Sequence, residues 1–229
     1  MKIIKEMQQL ANKDQAMILQ RFFKTGKGQY GEGDIFLGIK VPIQRQIAKK
    51  YRDLKLKDIS FLLKSKIHEH RLTALFILIF QFEKASNDDK EKIVDFYLKH
   101  KNYVNNWDLV DLSAPKILGI YLLNNDRKIL YVLAKSNSLW DKRISILSTY
   151  SFIKNNDFKD TLKLSELFLK EKHDLMHKAV GWMLREIGKK NVNVLYSFLD
   201  KYYKKMPRTM LRYAIEKLNE NKRKHYMKK

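Results

Sequence analysis

The chain has no cysteine. Disulfide frameworks, thiolate zinc sites, iron–sulfur clusters and cysteine nucleophiles are therefore excluded. Proline and glycine are scarce, three and eight in 229 residues, and four of the glycines crowd into Gly26 to Gly33. A turn-rich sandwich or barrel is not expected from so few breakers. Long hydrophobic runs are missing too: the longest, Ala74 to Phe80, falls far short of the roughly 20 residues a spanning helix needs. The start, Met1-Lys2-Ile3-Ile4-Lys5-Glu6, lacks the apolar region and cleavage site of a signal peptide, so the expected address is the cytoplasm, with no membrane association. Acidic residues are in deficit, 25 against 47 Lys plus Arg, for a formal net charge of +22. Such a surplus points to an acidic partner.

What is present is helical periodicity. Ile59, Leu62 and Leu63, then Ala74, Leu75, Leu78 and Ile79, recur at three- and four-residue intervals, over runs too long for strands. The breaks are short and polar, at Ser86-Asn87-Asp88-Asp89, Asn124-Asn125-Asp126, Asn155-Asn156-Asp157 and Asn191-Val192-Asn193, each suited to end one helix and cap the next. No linker interrupts them, which predicts an all-α chain forming one domain over 1–229, with a frayed basic tail from Asn219 onward. Arg71, Trp107, Arg143, Lys178 and Arg212 each open an apolar helical stretch, at steps of roughly 35 residues, the size of helix-pair repeats. The stretches look alike: Arg71-Leu72-Thr73-Ala74, Arg143-Ile144-Ser145-Ile146, Lys178-Ala179-Val180-Gly181 and Arg212-Tyr213-Ala214-Ile215. Stacking equivalent helices would align these cations as a curved positive track.

Several motifs fall away. Gly26-Lys27-Gly28-Gln29-Tyr30-Gly31 spells the dinucleotide fingerprint, but it follows a helix end rather than a strand, and the acids Glu32 and Asp34 would repel phosphate. It reads as a surface loop, and no nucleotide cofactor is expected. His173 and His177 are one turn apart but lack a third ligand and a general base, so no metal is expected. Ser113, beside Pro115, reads as a helix-kink residue rather than a nucleophile.

Two places remain. On the helix around Lys178 to Lys190, Ala179, Val180, Met183, Leu184 and Ile187 share one face, while Trp182 falls off it, near Lys178, Arg185 and Lys189. An indole in a basic setting suits contact with a nucleic-acid sugar or base, or with a cationic group; the alternative is a tryptophan filling a groove between repeats. The second place is Asn106-Trp107-Asp108-Leu109-Val110-Asp111. Four-residue spacing puts the Trp107 indole and the Asp111 carboxylate on neighbouring parts of one helix surface. Asp108 reads as a first-turn acid complementing the helix dipole, whereas Asp111 lies deeper and has either a task or a structural ion pair.

Together with Trp140-Asp141-Lys142-Arg143, Lys178-Ala179-Val180-Gly181-Trp182-Met183-Leu184-Arg185, and the segment from Tyr30 through Asp34 and Gly38 to Pro42, this motif resembles the AlkD-like DNA alkylation repair glycosylases over nearly the whole chain. The resemblance implies a right-handed α-solenoid of HEAT-like repeats with a concave basic face that cradles duplex DNA. It implies excision of purines made cationic by alkylation at N3 or N7, by a monomer without cofactor or metal. By position, Asp111 matches the catalytic aspartate. Trp107 and Trp182 match the aromatics facing the lesion nucleotide, Arg143 the arginine holding the nearby backbone, and Arg185, Tyr30 and Lys178 DNA-contacting positions. The family approaches its lesion from the sugar-phosphate side, without a base-flipping pocket. The alternatives are a non-catalytic HEAT-repeat nucleic-acid-binding protein and a helical scaffold for acidic protein partners.

Overall fold

The computed structural model describes residues 1–228, and among them every extended element is a helix; one isolated parallel bridge joins Ile35 to Ile67. The chain divides into two compact units, Met1–Ser113 and Ala114–Lys229. The first holds α1 (Lys2–Gln9), α2 (Lys13–Phe22), α3 (Val41–Lys50), α4 (Leu56–Leu63), α5 (His68–Lys84), α6 (Asn87–Lys99) and α7 (Trp107–Ser113). The second holds α8 (Lys128–Ala134), α9 (Leu139–Ser148), α10 (Tyr150–Lys154), α11 (Lys159–Leu167), α12 (Asp174–Lys190), α13 (Val192–Tyr202), α14 (Arg208–Ile215) and α15 (Glu220–Met227). None of these helices is long and apolar enough to cross a membrane.

Each unit is organised around one long helix. In the first, α5 packs against α3, α4, α6 and α7. A helix covered on so many sides has no use for a polar stripe, and Leu72 to Ile79 are all buried. In the second, α12 touches α9, α10, α11, α13 and α14, and its expected stripe of Ala179, Val180, Met183, Leu184 and Ile187 is fully buried. Gly181 lets α14 approach closely, since a Cβ there would sit 2.5 Å from the Met210 carbonyl oxygen.

The repeat positions fall on equivalent helices. Arg71, Trp107, Arg143, Lys178 and Arg212 lie within the first five residues of α5, α7, α9, α12 and α14. These helices pack in succession, α5 on α7 in the first unit and α9 on α12 on α14 in the second. This is the stacking of a helical-repeat α-solenoid. The polar breaks act as caps: Ser86 accepts from the Asp89 N–H, Asn191 from those of Asn193 and Val194, and Asp126 from that of Lys128.

Two expectations need correction. The repeat-register cations do not line up as an exposed track, because Arg71 and Arg143 are only 3% and 4% exposed. Each turns inward onto a backbone carbonyl, Arg71 onto Ser65 at 2.9 Å and Arg143 onto Leu175 at 2.5 Å. The C-terminal segment is not frayed through residue 227, though Lys229 lies outside the described residues. Asn219 caps α15 through the Lys222 N–H, and Tyr226 is buried, donating its hydroxyl to Asp200 at 2.7 Å. Tyr226→Ala should therefore cost about 3–5 kcal/mol of stability, a loss readable as a lowered urea midpoint. An unchanged midpoint would mean that α15 contributes nothing to the second unit.

Candidate functional site

The anticipated residues distribute over both units. The first carries Tyr30, Trp107 and Asp111, and the second Arg143, Lys178, Trp182 and Arg185.

In the first unit, α7 begins at Trp107 and presents Asp111 one turn later, both half-buried. The indole rests against a small apolar cluster of Ala16, Phe23 and Phe36. Its ring stacks on Phe23 at 5.2 Å and meets the Phe22 edge at 5.8 Å. Tyr30 sits in the glycine-containing surface loop, its hydroxyl 3.4 Å from the Phe22 carbonyl oxygen. Gly28 and Gly33 have positive φ there, and the loop is the turn structure expected, following the end of α2.

Asp108 does more than its sequence reading implied. It is a first-turn acid, but its carboxylate is also built into a largely buried chain of charge. Asp108 Oδ2 lies 2.8 Å from His68 Nε2; His68 Nδ1 lies 3.0 Å from Asp34 Oδ2; Arg71 donates to Asp34 Oδ1 at 2.6 Å. Asn106, fully buried, donates to Asp34 at 3.3 Å and accepts the Trp107 N–H at 2.8 Å. Next to His68, the Glu69 carboxylate accepts the backbone N–H groups of Leu37, Gly38 and Ile39 at 2.8–3.3 Å. Gly38 makes that cradle possible: its φ is +83°, and a Cβ would come within 2.1 Å of the Asn12 carbonyl oxygen. Beside these groups lies a cavity of about 340 Å³, lined by Leu19, Phe23, Phe36, Gln44, His68 and Asp108 among others.

The environment shifts two histidines of α5 in opposite directions. Burial, reinforced by the Arg71 cation, pushes His70 down to about 4. Burial also opposes a charge on His68, but Asp108 and Asp34 outweigh it and raise its pKa. Burial likewise works against ionised Asp34, yet His68 and Arg71 hold its carboxyl below the usual range.

In the second unit, α12 carries Lys178, Trp182 and Arg185. Trp182 is half-buried, as its position off the apolar stripe implies; it lies 6.0 Å from the Tyr150 ring and donates Nε1–H to Glu186 at 3.1 Å. Lys178, 40% exposed at its side chain, pairs with Asp174 one turn away at 2.7 Å. Arg185 pairs with Glu216 and approaches Glu186. Arg143, through Leu175, is tied to the first turn of α12. His173 and His177 are local ties: His173 Nδ1 accepts the Leu175 N–H, and His177 Nε2 bonds to the Glu171 carbonyl oxygen.

Sequence reasoning missed His68 and its partners. The available signal was four consecutive polar residues, His68-Glu69-His70-Arg71, opening the helix that carries the chain's longest apolar run; all four are at most 3% exposed.

The comparisons with known proteins define first a fold. It is similar to a solved structure described as a predicted DNA alkylation repair enzyme from Enterococcus faecalis, with a TM-score of 0.72 at 14% identity, covering 92% of this chain and 97% of that one. The family follows from the sequence profile of the DNA alkylation repair enzymes, which matches residues 3–218. The chain belongs to that family. No curated protein matches it.

Proposed function

We propose that the protein is a DNA glycosylase that hydrolyses the N-glycosidic bond of N3- and N7-alkylated purines in duplex DNA, acting as a monomer in the cytoplasm. The observation that carries this reading is the pairing of Trp107 with Asp111 one turn apart on α7, in a chain of the alkylation repair family.

The chemistry suits a sparse site. An alkylated purine already bears a positive charge and is a good leaving group, so no acid need protonate it and no cofactor is required. As the glycosidic bond stretches, positive charge moves onto the deoxyribose. The ionised Asp111 stabilises that oxocarbenium-like state and orients the attacking water. The π face of Trp107 attracts the cationic nucleotide and excludes solvent, and Trp182, in the second unit, is a further indole for contact with nucleic acid. Lys178, Arg185 and Tyr30 meet the DNA backbone. Arg143, at 4% exposure, offers a phosphate no more than an edge of its guanidinium.

The test is release of base from a duplex containing 7-methylguanine or 3-methyladenine, with the abasic strand detected by alkaline cleavage. Release above the spontaneous rate supports the glycosylase. Tight binding without release would replace it with a non-catalytic nucleic-acid-binding repeat protein.

A further inference from the structure

Between α2, α5 and α7 the first unit contains a closed circuit of contacts. Four rings cluster: Trp107 stacks on Phe23 at 5.2 Å, and Phe23, Phe36 and His68 form a triangle with centroids 5.1, 4.6 and 4.9 Å apart. The cluster closes back on α7, because His68 Nε2 bonds to Asp108, the residue next to Trp107.

The hydrogen bonds dictate the protonation of the ring. His68 is 1% exposed, and both of its nitrogens face carboxylate oxygens. Ionised carboxylates only accept, and a neutral imidazole has a single N–H to give. The neutral ring would leave one carboxylate against a lone pair at 2.8 or 3.0 Å, out of water, whereas the imidazolium satisfies both. With Arg71 on the second oxygen of Asp34, two cations and two anions then balance.

We propose that Asp34, His68 and Asp108 are positioning residues for the reaction: a doubly protonated His68 ring locks the first turn of α7 to α5 and to Asp34, fixing the tilt of the Trp107 indole and the reach of Asp111. This inference rests on the glycosylase reading. The groups facing His68 are Asp34 from the loop before α3, Arg71 on its own helix, 3.5 Å from Nδ1, and Asp108 from α7; Lys40 and Glu69 line the cavity beside it, to which α2 contributes the uncharged Gln15 and Leu19, and Phe23 follows as its C-cap.

The raised pKa of His68 gives the sign of the pH dependence. Its contribution to stability is complete below the ordinary histidine value of about 6.5 and is lost as pH rises through the elevated folded value. Positioning should fail as pH rises through that same value.

The experiment compares wild type, His68→Gln and Asp108→Asn from pH 6 to 9, on duplex DNA containing 7-methylguanine, with nitrogen-15 spectra of the imidazole and indole groups of the free protein. Two ring protons are expected on His68 at pH 7, with a Trp107 indole signal that moves in both variants. The variants should lose about 10- to 100-fold in kcat with KM little changed, and the alkaline fall of wild-type kcat should vanish in His68→Gln. Asp108→Asn preserves the side-chain shape and carries the comparison where His68→Gln does not fold. A single ring proton at pH 7, or folded variants with wild-type kcat and an unmoved indole signal, overturns the inference. Wild-type protein that releases no base overturns the glycosylase reading instead, and the spectra, which need no substrate, separate the two results.

Discussion

Asp111→Asn is expected to reduce release of 7-methylguanine from duplex DNA roughly 100- to 1,000-fold, the scale of removing one electrostatic stabiliser from an active site. The substitution keeps the shape of the side chain and its place on α7, so what it removes is the negative charge. An amide cannot stabilise a developing sugar cation as a carboxylate does, nor accept a proton from the attacking water. Binding should move the other way. Taking an anion from a surface that meets phosphates leaves affinity for the same duplex equal or tighter. Single-turnover release and equilibrium binding on one substrate measure both quantities. Retained release in Asp111→Asn would remove the aspartate from the mechanism, and lost binding would make it a structural residue.

A large effect on stability is also expected from Arg71→Met. Arg71 and Asp34 are both nearly inaccessible, with their side chains 4% and 5% exposed, and 2.6 Å apart. Methionine fills much of the volume but leaves Asp34 with His68 as its one cation and the Ser65 carbonyl without the donor it has now. Removing one partner of a buried ion pair costs about 3–5 kcal/mol, which for a chain of this size lowers Tm on the order of 10 °C. A depressed carboxylate contributes stability that is present above its unfolded pKa and lost as pH falls through its folded one. The difference between Arg71→Met and wild type should therefore narrow in acid, as Asp34 protonates in both. Thermal melts from pH 7 down to pH 3 would show it, and a Tm within a degree or two of wild type at pH 7 would contradict the assignment.

Much of the architecture was legible in the sequence, because helices announce themselves locally. Apolar spacing located α5 and α12, and Ser86 and Asn191 marked helix starts that the backbone uses. The repeat register was also legible, placing five residues at equivalent points of five helices. What one dimension concealed was direction. Arg71 and Arg143 read as exposed cations, yet a charge near the start of a stacked helix can turn inward toward carbonyls of the adjoining segment, as both do. Asp108 is the first-turn acid expected, but its further tie was hidden for the same reason: its partner, His68, lies 40 residues away and is joined to it only by folding. For the C-terminal helix the lysines and arginines suggested fraying, while the one informative residue, Tyr226, was a single aromatic among them. Trp182 and Trp107 sit half-buried, where their spacing put them.

The burial of His68, Asp34 and Arg71 separates their charges from the ionic atmosphere. Mobile ions screen exposed charges over about 10 Å at 0.1 M and reach enclosed pairs far less. Added salt should strip DNA from the surface lysines and arginines while leaving the rate constant of the bound complex untouched. On the glycosylase reading, attachment and bond breaking should answer to different variables, the first to the medium and the second to the buried charges of Asp34, His68 and Arg71 behind the half-buried Trp107.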